Sequence, residues 1–385
     1  MNRIVIPALF LAAGTAPVHA EGLKADVRGL TLEEGPLELN LGGRLHLDAA
    51  VFDDAATART GVTDAAVRRA RLELSGKIGG VVRFRIDREF AGASKGWRNL
   101  WVGIAPLKNV ELRGGNMMAP FSAEDLQSSN SLPFTERSLA SALAPGYGLG
   151  GTANASGKRW SATLGWFTDA LDNDEGRSVE RGRGAVGRAT LLAVSNGHTR
   201  LHFGAGGERR TFRAGETLRF SGDAGSTRAP NIMSTGTLRD LDHLSSWSAE
   251  AGLSFGPVLV QAQAMGQSIT RNAAPRLAFN GQTIQASWLL GGRGYGYTRA
   301  SGNFSGPELR RGKGAVEIAA RYSRLDLRNG AIDRGIGTAL TGGANWYLSR
   351  NVRLMANFTR TRATFADGTP RRTNNVGVAR FQLSF

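Results

Sequence analysis

The 385-residue chain carries a formal net charge of +16, no cysteine and 52 glycines, and its mean hydropathy is −0.22. Without cysteine it has no disulfide, no thiolate nucleophile and no cysteine-ligated metal. The cationic excess points to anionic partners, whether nucleic acid, lipid or small anions, and no stretch after the N-terminus is long and apolar enough to cross a membrane as a helix.

Residues 1–20 read as an export signal. Asn2-Arg3 is a short basic start, Ile4 to Ala13 an apolar core, and Val18-His19-Ala20 a small-residue cleavage site, so the mature chain is expected to begin at Glu21. The apolar run is about half of the roughly 20 residues that a spanning helix needs. Residues 21–36 show no clear pattern and are read as a short periplasmic lead-in. Residues 37–385 are read as one transmembrane β-barrel. Its first run, Leu37 to Ala49, alternates strictly: leucine, glycine and alanine on one side, and Glu38, Asn40, Gly42, Arg44, His46 and Asp48 on the other. Period two is the mark of a strand. The run outlasts a soluble strand of about 5–6 residues and suits a tilted membrane strand of about 9–11.

The pattern recurs over Ala66–Lys77, Val81–Phe90, Trp97–Ala105, Val110–Met117, Tyr147–Ala155, Arg159–Phe167, Gly184–Ala193, Thr199–Gly206, Trp247–Phe255, Val258–Gly266, Phe279–Leu290, Ala315–Leu327, Ile336–Leu348, Val352–Arg360 and Asn374–Phe385, sixteen strands with the first. Tight turns on one side alternate with longer polar loops on the other, the asymmetry of a bacterial outer-membrane barrel. An even count puts both ends on the short-turn side. Gly291–Gly314 is the exception, a long connection on that side. The final strand alternates apolar residues up to Phe385, like the recognition signal of the barrel-assembly machinery, and closing the sheet removes the edge that lipid cannot solvate. The expected fold is all-β: a 16-stranded antiparallel transmembrane barrel with an inward-folded third loop. Trp160, Trp166, Trp247, Trp288 and Trp346 fall with the lipid-facing residues as an interface girdle.

Opposite the apolar face stand Arg44, Arg69, Arg71, Arg83, Arg85, Arg113, Arg188, Arg200, Arg321, Arg353 and Arg380, with Glu73, Asp87, Glu111, Glu250 and Glu317 among them. Charges on the lipid face cost about 2–4 kcal/mol at mid-membrane, so these belong in the lumen. Rows of arginine favour anions; the plainer alternative is that lumen charges pair and stiffen the wall. The stretch from Met117 to Ala144 breaks the alternation. It contains Pro120 and Pro133, Ser122 and Thr135 stand where they could cap helical turns, and Phe121, Leu126, Leu132, Phe134 and Leu139 need something to pack on. Folded into the lumen, it would put Glu124, Asp125, Glu136 and Arg137 at the opening.

Arg113-Gly-Gly-Asn-Met-Met-Ala-Pro-Phe-Ser-Ala-Glu, Ser128-Ser129 and Phe134-Thr-Glu-Arg-Ser-Leu-Ala resemble the third loop of the phosphate-selective porin O and P family. Gln285-Ala-Ser-Trp-Leu-Leu, Ala319-Ala-Arg-Tyr-Ser-Arg-Leu-Asp-Leu and Asn345-Trp-Tyr-Leu-Ser-Arg-Asn-Val-Arg-Leu-Met resemble its later strands. The resemblance implies a homotrimer whose third loop narrows an arginine-lined anion path. It also implies that a long periplasmic turn enters the pore, the place of Gly291–Gly314 with Arg310, Arg311 and Lys313, and that the fifth outer loop adds basic residues, loosely matched by Arg209, Arg210 and Arg213. The chain departs from the lysine-rich mouths of the phosphate-specific members. It has six lysines, and Asp172, Asp174 and Glu175 make one outer loop acidic.

Other motifs point elsewhere only weakly. Gly252-Leu-Ser-Phe-Gly256 has the hydrolase-elbow spacing but lies in an alternating strand rather than a strand-to-helix turn. His198 and His202 are far apart for one metal, and Asp172-Asn-Asp-Glu-Gly lacks the distal glutamate of a calcium loop. The expectation is a passive outer-membrane channel for small anions, phosphate or polyphosphate-type solutes foremost, with no catalysis, cofactor, metal or nucleic-acid partner. A general diffusion porin and a structural barrel are the alternatives.

Overall fold

The computed structural model describes residues 23–26, 29–54, 59–92, 95–171, 182–329, 332–365 and 371–385. The expected export signal and the acidic loop at Asp172 lie outside these residues. Sixteen strands form the barrel: β1 Leu37–Asp54, β2 Arg59–Ile78, β3 Val82–Glu89, β4 Gly96–Leu107, β5 Val110–Met118, β6 Tyr147–Ser156, β7 Trp160–Thr168, β8 Arg183–Ser195, β9 Thr199–Thr211, β10 Leu241–Phe255, β11 Val258–Arg271, β12 Leu277–Leu290, β13 Ala315–Asn329, β14 Ile332–Tyr347, β15 Val352–Thr364 and β16 Arg372–Ser384. Each pairs antiparallel with the next, and β16 returns to β1, from Val376 opposite Phe52 to Ser384 opposite Arg44. Phe385 and Gly43 exchange backbone hydrogen bonds of 2.9 and 3.0 Å.

Part of the patternless lead-in is ordered by the wall. Gly29–Glu34 is a strand that pairs with Leu37–Leu41, and Leu23–Asp26 pairs with it in turn. The start of β1 projects past the end of β16, so its outer edge would be unpaired there. Gly29–Glu34 covers it, as an exposed strand edge requires.

Burial follows the inverted rule of a barrel in lipid. Along β12 every second residue is exposed, ending with Trp288 and Leu290. Leu164, Leu340, Phe358 and all five girdle tryptophans point outward. The inner face is polar, and Glu317, Asn345, Arg353 and Arg380 are buried there.

The third loop begins at Ala119, whose N–H donates to the Gly146 carbonyl (2.9 Å). It holds one helical turn, α1 Ala123–Leu126, and a 3-10 turn at Leu139–Leu143. Ser122 occupies the N-cap position of α1, but its hydroxyl donates to Asp125 and makes no capping bond. Thr135 heads no helix; its N–H donates to Asn357 (2.6 Å). Phe121, Leu132, Phe134, Leu139 and Leu143 are buried. The fifth outer loop, between β9 and β10, lays Leu218, Phe220, Ile232, Met233 and Leu238 on the 3-10 turn and on Phe279, Leu325 and Leu327 of the wall.

From the other end, the long connection between β12 and β13 forms a hairpin of Tyr295–Thr298 with Asn303–Pro307. Tyr295 and Phe304 pack on Leu259, Leu289 and Tyr347, and Asn303 donates to the Ala123 carbonyl (2.8 Å). Two glycines permit these close approaches. A Cβ at Gly206 on β9 would run into the Phe121 carbonyl. One at Gly302, whose φ is +57°, would strike Thr190 and strain the backbone besides.

Phe358, 56% exposed on the outer face midway along β15, tests the orientation of the wall. F358R should cost about 2–4 kcal/mol of folding free energy in urea titrations of protein folded into phospholipid vesicles, while F358L should change it little.

Candidate functional site

The third loop lies against one half of the wall. Counting round the barrel, Ser248 of β10 donates to Phe121 O (2.6 Å), Glu250 accepts from Ala123 N–H (2.7 Å) and Gln267 of β11 donates to Leu143 O (2.5 Å). Arg321 of β13 donates to Glu136 O (2.9 Å), with its guanidinium 4.5 Å above the Phe134 ring. Asn345 of β14 donates to Pro133 O (2.9 Å), Arg353 of β15 to Leu132 O (2.9 Å) and Arg380 of β16 to Thr135 O (2.7 Å). A loop buried without partners would strand these carbonyls; here long side chains reach in from the wall to meet them.

Two of the loop's acids are consumed in this anchoring. Glu124 accepts from Ser138 N–H (2.8 Å), the Ser138 and Ser141 hydroxyls (2.6 and 2.9 Å) and Arg321 (3.5 Å). Glu136 accepts a two-pronged pair from Arg68 (2.6 and 2.9 Å) and a longer bond from Arg380 (3.4 Å). Burial alone would raise the Glu136 carboxyl, but the Arg68 guanidinium, joined by Arg380 and Arg69, outweighs it and holds the group down at about 2. Asp125 remains beside the opening, 3.8 Å from Arg137.

The opening lies between the loop and the other half of the wall, β1 to β8. It is a cavity of about 550 Å³ lined by Arg44, Arg69, Arg71, Arg85, Arg98, Arg113, Arg137 and Arg188, by Ser128, Ser129 and Tyr147, and by Thr298, Ala300 and Ser301 of the hairpin. Among the described residues one carboxylate, Asp125, is in the lining. The remaining acids stand behind the arginines as braces. Glu73 takes Arg44 and Arg85, the latter at 2.8 Å; Asp87 takes Arg85 (2.9 Å); Glu89 takes Arg71 (3.3 Å); and Glu111 takes Arg113 (2.7 Å). Arg188 pairs with Glu250 and donates to the Ser301 and Gly302 carbonyls (2.7 and 2.8 Å). Arg85 and Arg113 keep side-chain exposures of 35% and 37%, so their charges act on the water of the cavity. Arg137 donates to the Glu124, Asp125 and Gln127 carbonyls (3.1, 3.2 and 2.9 Å) and stays at the rim.

The structure therefore brings together Arg44, Arg69, Arg71, Arg85, Arg113, Arg137 and Arg188 of the expected set. Arg321 and Arg353 lie behind the loop instead, and Phe121 and Phe134 are packing residues of the loop rather than its water-facing surface. Arg83 stands near the short-turn end, 39% exposed and 3.9 Å from Glu111. Arg200 bonds the Tyr295 carbonyl (2.6 Å). Arg310, Arg311 and Lys313 are exposed and outside the cavity lining. Arg209 and Arg213 are exposed, and Arg210 is buried against Glu208. Among the motifs set aside, Ser254 is within β10, and His202 sits between Glu250 (3.0 Å) and Tyr297 (2.9 Å).

Strict alternation misses Arg68 and Arg98. The β1–β2 register runs from His46 opposite Arg69 to Leu47 opposite Val67, leaving Arg68 as an extra residue. The β3–β4 register likewise slips between Ile86 opposite Leu100 and Arg88 opposite Trp97. Each bulge re-aims a side chain, turning Arg68 onto Glu136 and Arg98 over the Tyr147 ring at 5.2 Å. A hydrophobic residue followed by paired arginines, Val67-Arg68-Arg69, is the available hint.

A family model described as phosphate-selective porin O and P matches residues 39–385. No curated protein matches the sequence. Similar solved structures include an anion-selective porin from Comamonas acidovorans, 15% identical with a TM-score of 0.57, covering 91% of this chain and all 100% of that one. In-vitro folded OmpT of Vibrio cholerae in a trimer form is 11% identical with a TM-score of 0.57, covering 91% and 100%. The outer membrane channel DcaP of Acinetobacter baumannii is 11% identical with a TM-score of 0.57, covering 92% and 99%. At these identities the likeness is one of fold.

Glu136 sets a pH limit on the loop. Its folded value is depressed, so its contribution is complete above the ordinary carboxylate value of 4.5 and lost as pH falls through about 2. E136A strands Arg68, while Arg380 keeps its two-pronged pair with Asp48 (2.6 and 2.7 Å), and should loosen the loop by about 3–5 kcal/mol. The readout is faster hydrogen exchange at residues 119–146 at neutral pH, with the barrel strands still protected.

Proposed function

The chain belongs to the phosphate-selective porin O and P family, and we propose that this outer-membrane channel passes small anions, phosphate-type solutes foremost, through the opening between its third loop and the β1–β8 wall. One observation carries the reading: among the described residues, eight arginines and one carboxylate line that opening. An anion entering it exchanges part of its hydration for guanidinium contacts, while a cation meets like charge. Guanidinium forks suit the paired oxygens of phosphate and carboxylate. Because the arginines lie on several strands, an anion can pass from one to the next, and the bracing acids keep any single contact from becoming a trap.

The same braces favour a second reading, a general diffusion porin with mild anion preference and no phosphate site. Phosphate added to chloride solution separates the two: a phosphate site predicts block of chloride current at low concentration, and general diffusion predicts none. The trimer form of the similar OmpT supports a homotrimer here. Residues 1–20 act as the export signal, 21–36 as a periplasmic lead-in, and the β16 terminus as the mark read by the assembly machinery.

Reversal potentials in planar bilayers under a salt gradient test the proposal. Wild type should be anion-selective. R85Q/R113Q should lower the anion-to-cation permeability ratio several-fold, since one charge contact in watery surroundings is worth about 1 kcal/mol, roughly fivefold. R310Q/R311Q should move it much less. Cation selectivity in the wild type would overturn the reading.

A further inference from the structure

The lumen does not account for a group of arginines on the outside of the barrel. Register fixes which outward residues stand side by side. Near the short-turn side one outward row reads Leu290, Val316, Trp346, Leu354 and Phe381 across β12 to β16. Eight residues further toward the long loops, the row reads Gln282, Arg324, Thr338, Arg362 and Thr373. Eight residues at about 3.4 Å each, tilted by about 40°, rise roughly 20 Å. The apolar band of such a barrel is about 25 Å tall, so this polar row marks its outer rim. Arg360 stands one step lower, beside Leu340 and Asn375, within reach of the rim by extending its long side chain.

Arg360 and Arg362 are exposed, and among the described residues no carboxylate pairs with either. Arg324 is held by Asp326 (2.9 Å) and keeps 30% of its side chain exposed. The bordering acid on the β1 side, Asp53, takes the Asn375 amide (2.9 Å). Strands about 4.8 Å apart put the Cα atoms of Arg324 and Arg362 roughly 10 Å from each other, with Thr338 between them. The Arg362 fork, the part of the Arg324 guanidinium that Asp326 leaves exposed, and the Thr338 hydroxyl can thus close on one phosphate. Beneath them Leu340 and Phe358 offer apolar surface at the depth of acyl chains.

We propose that this patch binds the phosphates of lipid A, the phosphorylated glycolipid anchor of lipopolysaccharide in the outer leaflet. A ligand with phosphates above acyl chains matches the charge at the rim and the apolar rows below it. The patch also faces the leaflet in which that glycolipid resides. The arginines would then fix the height of the barrel and hold a lipid at its β13–β15 face, separately from conduction.

The test is native mass spectrometry of the full chain in detergent, titrated with diphosphoryl lipid A or with chemically dephosphorylated lipid A. Wild type should retain the phosphorylated form far better. R360Q/R362Q should retain it roughly fivefold less for each arginine removed, with unchanged single-channel conductance. Should the double variant fold poorly, R362Q alone should show the single fivefold loss. Equal retention of the two lipids by wild type would overturn the proposal, as would full retention by the variants. Variants that separate into single chains while still holding the lipid would also overturn it, assigning the patch to contact between copies.

Discussion

Inside the hydrocarbon core no water reaches a backbone amide, so every N–H and C=O of a spanning strand must find its partner in protein. That requirement governs the rest of this molecule. It closes β16 onto β1 and recruits Gly29–Glu34 to the projecting end of β1. It also makes the lumen the place where charged side chains are held at small cost. Once alternate residues are committed to lipid, the remaining ones point at each other across a water-filled space. A loop that is both apolar and rich in backbone carbonyls then has a surface prepared for it.

The third loop divides that surface. Where it lies down, from β10 to β16, the wall arginines become donors to its carbonyls: Arg321 to Glu136, Arg353 to Leu132, Arg380 to Thr135. Where it leaves a gap, arginines of the same origin face water with carboxylates behind them. The side chain is the same and the difference is what covers it. The acids follow the same division. Glu124 and Glu136 hold the loop in place, and of the three loop carboxylates Asp125 is the one left at the opening. Their anchoring leaves the charge of the β1–β8 arginines largely unopposed from across the gap.

Strand number, order and sidedness were legible because a barrel repeats one signal, period-two alternation, many times over, and errors at single positions do not accumulate. The apolar third loop was legible as an interruption of that signal. The half of the wall it covers was not, because alternation assigns a residue to the lumen without saying what it meets there; it therefore puts Arg321 and Arg353 in one group with Arg85 and Arg113. Arg68 and Arg98 escaped for a local reason, a one-residue slip in register that period-two reading must miss. The hairpin at Tyr295–Pro307 was visible as a connection too long for its side, and its contact with Ala123 depends on the glycine at 302.

On the proposed reading, ions pass between the third loop and the β1–β8 wall. Because the chain has no cysteine, single cysteines can probe it directly by recording conductance before and after a charged thiol reagent. N99C lies in the lining of the opening, and T359C lies on the inner face of the half-wall that the loop covers, its hydroxyl at present paired with Thr341 at 3.1 Å. The account predicts that the reagent cuts current through N99C and leaves T359C unaffected. Block at T359C with no block at N99C would contradict it.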